Sequence, residues 1–406
     1  MQSRLPGRRE GVESDWLTDQ SIGRRTRRRG PLIATPATDR SRTHLQRALA
    51  LAEGGRGRVS PNPLVGAVIA RNGEVIGEGF HAELGGLHAE RAALADCASR
   101  GTDPEGATMY VTLEPCAHQG RQPPCTEAIL EAGIAKVVIA SDDPSEKASG
   151  RGPGILRDGG VEVELAAGAE AGAARLLNQP FRKYARTGLP LVTLKLAMSL
   201  DGRVATAGGD SKWISGADSR RLVHRWRAES DAVAVGIGTA LADDPLLTAR
   251  DVEAARQPAR VVFDTDARLP LASRLVETAA EARLIVVAAP QADPARLEAL
   301  RRAGAEPVIA PGDGPAQRVH AALAELGRLE ITSLLLEGGP VLAGAFADAG
   351  EIDAARIFVA PLLIGGGRAA LAGEGAARIE DATRALAAES ETIGDDVLLS
   401  ARLREW

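Results

Sequence analysis

His88, Glu90, Cys116 and Cys125 are the residues whose types and spacing point first to chemistry. One imidazole and two thiolates make a three-donor zinc set whose fourth tetrahedral position stays open to water. Zinc bound there lowers the pKa of that water towards about 7. Glu90, two residues beyond the histidine, is expected as a proton shuttle rather than a ligand. It takes the proton from the water and returns it to a ring nitrogen and a departing amine. Two other readings compete: a closed zinc knuckle with His118 as fourth donor, or two buried cysteines beside an unrelated histidine. A closed site has no use for a carboxylate so close to a ligand. Cys97, set among alanines, reads as a small buried residue and not a ligand.

The elements around these residues must hold them. The spacing suggests that His88 and Cys116 each open a helix, since helix N-termini favour thiolates and carboxylates. A helix carrying Leu45, Ala48, Leu49 and Ala52, capped by Ser41 or Thr43, is expected to end at Gly54-Gly55. Residues 64–70 and 74–80 read as a strand pair around Asn72-Gly73, a strong hairpin signal. Residues 88–98 and 126–132 read as helices, and 109–113 and 136–140 as strands, which is the pattern of an α/β sandwich.

A second alternating series begins at Leu191. Its expected strands are 191–196, 232–235, 260–263, 284–288, 333–336 and 356–359, with helices notably over 219–229 and 316–326. Gly236-Ile237-Gly238 begins like a dinucleotide fingerprint, but Leu241 stands where the third glycine belongs. Glu337-Gly338-Gly339-Pro340, between a strand and a helical 341–349, is the better anion site. An ordinary strand–helix turn explains it equally well. Asn178–Pro190 reads as a connecting segment, with a boundary near residue 186.

At 406 residues the chain is too long for one ordinary core, and two domains are expected. Aromatic residues are only 3% of it, so the cores must be built from Ala, Val, Leu and Ile, and each Trp calls for a reason. A net charge of −5 argues against binding a polyanion, so anion recognition has to be local. Neither a membrane span nor a signal peptide is evident, and three cysteines do not make a disulfide framework. A cytoplasmic protein with no membrane or nucleic-acid partner is the expectation. Residues 1–40, with the run Arg24-Arg25-Thr26-Arg27-Arg28-Arg29, read as a dispensable disordered extension.

His-x-Glu followed by a Pro-Cys motif is the pattern of zinc nucleobase deaminases, here with the second cysteine displaced across Ala-His-Gln-Gly-Arg-Gln-Pro-Pro. With Ser60-Pro61-Asn62-Pro63, Gly79-Phe80-His81 and residues 112–125, it resembles the bifunctional diaminohydroxyphosphoribosylaminopyrimidine deaminase/aminouracil reductases of riboflavin biosynthesis. The resemblance runs from about residue 41 to the C-terminus. It implies a cytidine-deaminase-like α/β/α sandwich over 41–186 and a dihydrofolate-reductase-like α/β domain over 187–406, in a homo-oligomer. It implies one zinc ion per chain on His88, Cys116 and Cys125, with Glu90 as proton shuttle and Asn62, His81 and Arg121 lining the deaminase pocket. Gln122 and Ala117 stand where the family usually has Thr and Ser.

In the second half Leu194–Gly202, Ser211–Ile214, Ala242–Pro245 and Glu337–Pro340 carry the resemblance. The implied NADPH positions are Met198, Trp213, Thr239, Asp243, Thr265, Gly339, Pro340, Val341, Leu342, Ala343, Gly344 and Ala345. The implied positions for the phosphorylated pyrimidine are Ser211, Arg227, Leu247, Arg250 and Glu337, with Lys195 and Asp201 as possible catalytic groups. Arg227 and Arg250 are expected to bond the sugar phosphate. From the residues alone Arg227 reads as part of a solvated helix face and Trp213 as core. Two competitors remain. The acidic balance counts against a nucleic-acid deaminase, and Glu90 counts against a non-catalytic zinc module.

Overall fold

The computed structural model describes residues 37–120, 122–146, 148 and 150–406. The extension expected over 1–40 lies outside these residues as far as residue 36. The first helix, Ala37–Ala52, starts four residues before the expected Ser41.

The strands, in chain order, are β1 (Gly66–Arg71), β2 (Glu74–Phe80), β3 (Thr108–Val111), β4 (Lys136–Ile139) and β5 (Glu162–Leu165), then β6 (Leu191–Ser199), β7 (Arg203–Thr206), β8 (Ala232–Gly236), β9 (Ala259–Phe263), β10 (Leu284–Ala288), β11 (Ala305–Ile309), β12 (Ser333–Leu336), β13 (Ala354–Ala360), β14 (Gly367–Ala369), β15 (Ala387–Ile393) and β16 (Asp396–Arg402). The first five form one sheet in the order β2-β1-β3-β4-β5. β1 and β2 turn at Asn72 and Gly73, whose φ values of 53° and 87° suit a two-residue hairpin. Alternation along the strands sends Ala67, Ile69, Met109, Val111, Val137 and Ile139 to one face. There they meet Ala89, Ala93, Cys97, Ile129 and Leu156 of the helices Ala89–Arg100, Cys125–Glu131 and Arg151–Asp158. Val68, Ala70, Tyr110 and Val138 meet Leu45, Ala48 and Ala174 on the other face. This is the three-layer arrangement that period-two patterning requires.

The second sheet has nine strands, ordered β11-β10-β9-β8-β12-β6-β13-β16-β15. From β11 to β13 all neighbours are parallel, and β13-β16-β15 closes the edge antiparallel. The helices Pro315–Arg328 and Pro340–Asp348 cover one face through Val319, Leu323, Leu326 and Phe346. Val223 and Trp226, on the helix Ala217–Glu229, cover the other.

Three expectations fail for identifiable reasons. Cys116 does not open a helix: it lies in a loop, and the helix begins at Cys125, directly after Pro123-Pro124. The connecting segment 178–190 is largely the helix Gln179–Thr187. Its Lys183 and the Asp353 that it bonds at 2.7 Å are each 1% exposed, so residues that read as polar linker join the two sheets. Strands β5, β11, β15 and β16 escape sequence reading, as does the small β7–β14 pair. The first three carry charges, or Pro307, at sheet edges where propensity is weak.

Candidate active site

His88 is the N-cap of the helix Ala89–Arg100, Glu90 lies in its first turn, and Cys125 is the first residue of the next helix in sequence. The three donor atoms of His88, Cys116 and Cys125 lie within 4.8 Å of one another. His88 Nδ1 is 3.5 Å from Cys116 Sγ and 3.4 Å from Cys125 Sγ. A tetrahedral zinc ion with bonds of about 2.0 Å to nitrogen and about 2.3 Å to sulfur has nitrogen–sulfur edges of about 3.5 Å. The donors therefore already sit at the corners such an ion needs. Among the described residues no other group of His, Cys, Asp and Glu converges in this way. His118, the alternative fourth donor, is absent from the cluster.

The electrostatics suit a soft cation. Hydrogen bonds from Cys125 and His88 hold the Cys116 thiol down at about 4, while the Cys125 thiol is pushed up because it shares its proton with Cys116. The backbone N–H of Cys125 also donates to Cys116 Sγ at 3.3 Å. Glu90 is 4% exposed. Burial first, and then the negative charge of Cys116, push its carboxyl up to about 7. A carboxyl in that range both accepts and returns a proton near neutrality.

Asn62 and His81 join the same wall. Asn62 Nδ2 donates to His81 Nε2 at 3.1 Å, and His81 Nδ1 donates to the Leu87 carbonyl at 2.9 Å, a tautomer fixed by these partners. The His81 ring stands edge-on to His88, centroids 5.4 Å apart. Burial pushes the His81 imidazole down. Arg121 lies outside the described residues.

The second constellation gathers just beyond the C-terminal end of β12, beside the middle of β6. Arg227 and Glu337 form a bidentate pair at 2.6 and 2.8 Å, and Arg227 also donates to the Thr248 carbonyl. Arg227 is thus no solvated helix residue, and its fork is occupied by Glu337. Lys195 stands close enough to feel both charges, and burial pushes its ammonium down. Arg250 donates to the neutral oxygens of Thr248 and is exposed. Leu247 packs into the core, 3% exposed, with φ of 56°.

Trp213 is 70% exposed and therefore not core; Arg220 stacks on its ring at 4.6 Å. Lys212 ties this segment to Asp243 at 3.1 Å. Ser211 and Met198 are half-buried. Gly339 caps the helix Pro340–Asp348, with Pro340 in its first turn. A Cβ on Gly339 would sit 3.2 Å from the Thr239 hydroxyl, which explains the small residue.

Thr265, Val341, Leu342 and Ala345 line one cavity of about 320 Å³ at the ends of β8, β9 and β10. Ala343 and Gly344 do not: the first is core, and the second faces the Ala372 carbonyl. Gly236, Ile237 and Gly238, whose sequence begins like a dinucleotide fingerprint, line the same wall, whereas sequence reading missed Asp264, Arg268 and Arg318 there. Asp264 is fully buried, and its Oδ1 finds no hydrogen-bond partner among the described residues. An acid directly after a parallel strand was the available signal. Asp201, exposed, accepts from Ser199 Oγ and from the backbone N–H groups of Ile364 and Gly365, which together hold its carboxyl at about 2.

Residues 38–141 match the cytidine and deoxycytidylate deaminase zinc-binding region, and residues 190–399 match the RibD C-terminal domain. The chain is 42% identical to the riboflavin biosynthesis protein RibD of Actinobacillus pleuropneumoniae over 88% of its own length and 93% of that protein's. The chain belongs to the RibD family. The Escherichia coli member is 38% identical over 88% of this chain and 97% of its own. The crystal structure of the Thermotoga maritima deaminase/reductase superposes with a TM-score of 0.79 at 36% identity, covering 90% of this chain and 99% of that one. Like its RibD relatives, the chain is a bifunctional deaminase and reductase of riboflavin biosynthesis. The expected fold class, a cytidine-deaminase-like sandwich followed by a dihydrofolate-reductase-like domain, agrees with these matches. No helix among the described residues is long and apolar enough to cross a membrane.

Proposed function

We propose that the chain deaminates 2,5-diamino-6-(5-phosphoribosylamino)pyrimidin-4(3H)-one and then reduces the ribosyl group of the resulting aminouracil with NADPH. The observation that carries the first step is the convergence of three zinc donors beside the buried Glu90. His88, Cys116 and Cys125 would hold one zinc ion, which supplies Lewis acidity towards water. Glu90 takes the proton of the attacking water at its carboxylate as the new C2–O bond forms. It hands that proton to the ring nitrogen, then takes the remaining hydroxyl proton and delivers it to the amine as the C2=O bond forms, the C2–N bond breaks and ammonia leaves. Asn62 and His81 present polar atoms to the ring, with Arg121 as the expected partner for the phosphate.

For the second step, the cavity bounded by Thr265, Val341, Leu342 and Ala345 supports a dinucleotide, with Arg268 and Arg318 as its cationic side. The dinucleotide supplies hydride to C1′ when bound. Lys195, a half-buried ammonium close to the Arg227–Glu337 pair, would protonate the ribose oxygen as the ring opens. Asp201 is left out of proton transfer because its carboxylate is committed to the 364–365 backbone.

The division at residue 186, a cytoplasmic location and a homo-oligomer belong to the same reading; light scattering decides the last. A coupled assay on purified protein tests the whole, following ammonia release and NADPH oxidation on one substrate, with cytidine and tRNA alongside. Ammonia released from cytidine or tRNA but not from the phosphorylated pyrimidine would overturn it.

A further inference from the structure

We infer that Asp231, at the foot of the nine-stranded sheet just before β8, is a positioning residue for deamination, acting through Ser60 on Asn62. The inference rests on the reading of Asn62 as a wall of the deaminase pocket.

Asn62 lies on no helix or strand. It follows the short 3-10 turn Glu53–Gly55 and precedes β1, in a stretch whose own bonds are few: Arg58 N–H to the Gly55 carbonyl and Asn62 N–H to the Val59 carbonyl. Such a stretch does not hold a side chain in place by itself. Asn178 holds Leu64 through both its backbone groups at 2.8 Å and Leu84 N–H donates to the Arg58 carbonyl, but between these points the fastenings lie across the molecule. Arg256 Nε donates to the Gly57 carbonyl at 3.2 Å, and a Cβ on Gly57 (φ 73°) would stand 2.7 Å from the Ala228 carbonyl. Arg58 pairs with Glu253 at 2.7 Å, but both are exposed, so that pair is weak.

Ser60 makes the strong contact. Its hydroxyl donates to Asp231 Oδ2 at 2.7 Å, and Asp231 is 4% exposed. The carboxylate is itself immobilised. Oδ2 also accepts from Thr332 N–H at 2.8 Å, Thr332 Oγ1 at 2.7 Å and Ser333 N–H at 3.1 Å, while Arg256 donates to Oδ1. Asp231 directly precedes β8, and Thr332 directly precedes β12. These are the N-terminal ends of two central parallel strands, at the opposite end from Glu337 and Gly236. The base of the reductase sheet thus anchors the residue two positions before Asn62. The turn closed by Asn62 N–H and the Val59 carbonyl passes that anchorage on, and Asn62 then meets His81 at 3.1 Å.

The test uses Ser60→Ala, which removes the bridging hydroxyl and leaves every other Asp231 bond in place. In the full-length zinc-loaded protein it should raise KM for the phosphorylated pyrimidine about 5- to 20-fold, the worth of one hydrogen bond to a charged acceptor. Its kcat should change less than about threefold, and Ser60→Thr should restore KM. Asn62→Ala should raise KM at least as far, and adding Ser60→Ala to it should do nothing more. Reduction of the deaminated substrate should be unaffected by Ser60→Ala. A wild-type KM in Ser60→Ala, with Asn62→Ala impaired, overturns the inference. So does a full Ser60→Ala effect persisting on top of Asn62→Ala. A wild-type KM in Asn62→Ala removes the reading of Asn62 on which the inference stands.

Discussion

The two constellations of this molecule are built in opposite ways. The zinc donors and Glu90 occur within one short span, each at or near the start of a helix or in the loop between, and their spacing was readable from the chain. The second constellation draws Lys195 from β6, Arg227 from a helix and Glu337 from beyond β12. It becomes a site only when the parallel sheet sets β12 beside β6. A site made of local spacing can be read as a motif, whereas one made of strand order has to be folded first. The first is rigid because of its backbone, and the second because its charges hold one another.

The largest expected effect tests the motif side. Glu90→Gln keeps the size of the side chain but cannot carry a proton. Deamination should fall by about 10²–10⁴-fold, while metal analysis still finds near-stoichiometric zinc. If zinc leaves with the activity, Glu90 is a ligand, and the distinction between donors and shuttle collapses.

The next effect tests the folded side. Arg227 was expected to meet a phosphate, but its fork is held by Glu337, whose side chain is only 10% exposed. Arg227→Ala strands a carboxylate away from water, which costs about 3–5 kcal/mol where a buried pair is broken from one side. Urea unfolding should show that loss. The double replacement Arg227→Met with Glu337→Gln should recover much of it. A loss under about 1 kcal/mol would mean the pair is structurally idle and Arg227 can turn to a ligand.

Arg250 sharpens the contrast. It is exposed and bonds neutral oxygens, so Arg250→Ala should leave stability unchanged. If this cation meets the sugar phosphate, KM for the reduction should rise about tenfold, at the lower end of a charge-assisted bond. Equal effects on KM and on unfolding would place it with Arg227.

What sequence reading found and missed follows the same division. The hairpin at Asn72-Gly73, the alternating strands of both sheets and Pro340 at a helix start are local signals, and each has its counterpart in the structure. The helix Gln179–Thr187 was missed because Arg182 and Lys183 look solvated. Their partners, Asp142, Asp353 and the Trp406 carbonyl, are far away along the chain. Helix formation at Cys116 was wrongly expected because a Pro-Cys pair also suits a helix start. The later Pro123-Pro124 pair sets the true one, as Pro disfavours helical conformation in the residue before it. The Ser60–Asp231 bond had no sequence signal at all.

The smallest effect concerns Asp201, where resemblance and geometry diverge. Its carboxylate is drawn down to about 2, first by the Ser199 hydroxyl and then by the Ile364 and Gly365 N–H groups. An unfolded aspartate titrates at about 3.9. A group with a depressed folded pKa contributes stability above its unfolded pKa, and that contribution is lost as pH falls through the folded value. Asp201→Asn should therefore be slightly less stable than the parent at pH 7. The gap should shrink below about pH 4 and close near pH 2, as read by urea unfolding across that range. Because the side chain is exposed, the gap should be small. Reduction of the aminouracil should stay within a few-fold, since the carboxylate holds a loop and is already ionised at working pH. A loss of reduction by orders of magnitude, with stability unchanged, would instead make Asp201 a catalytic group. Lys195 would then have to share the proton transfer assigned to it.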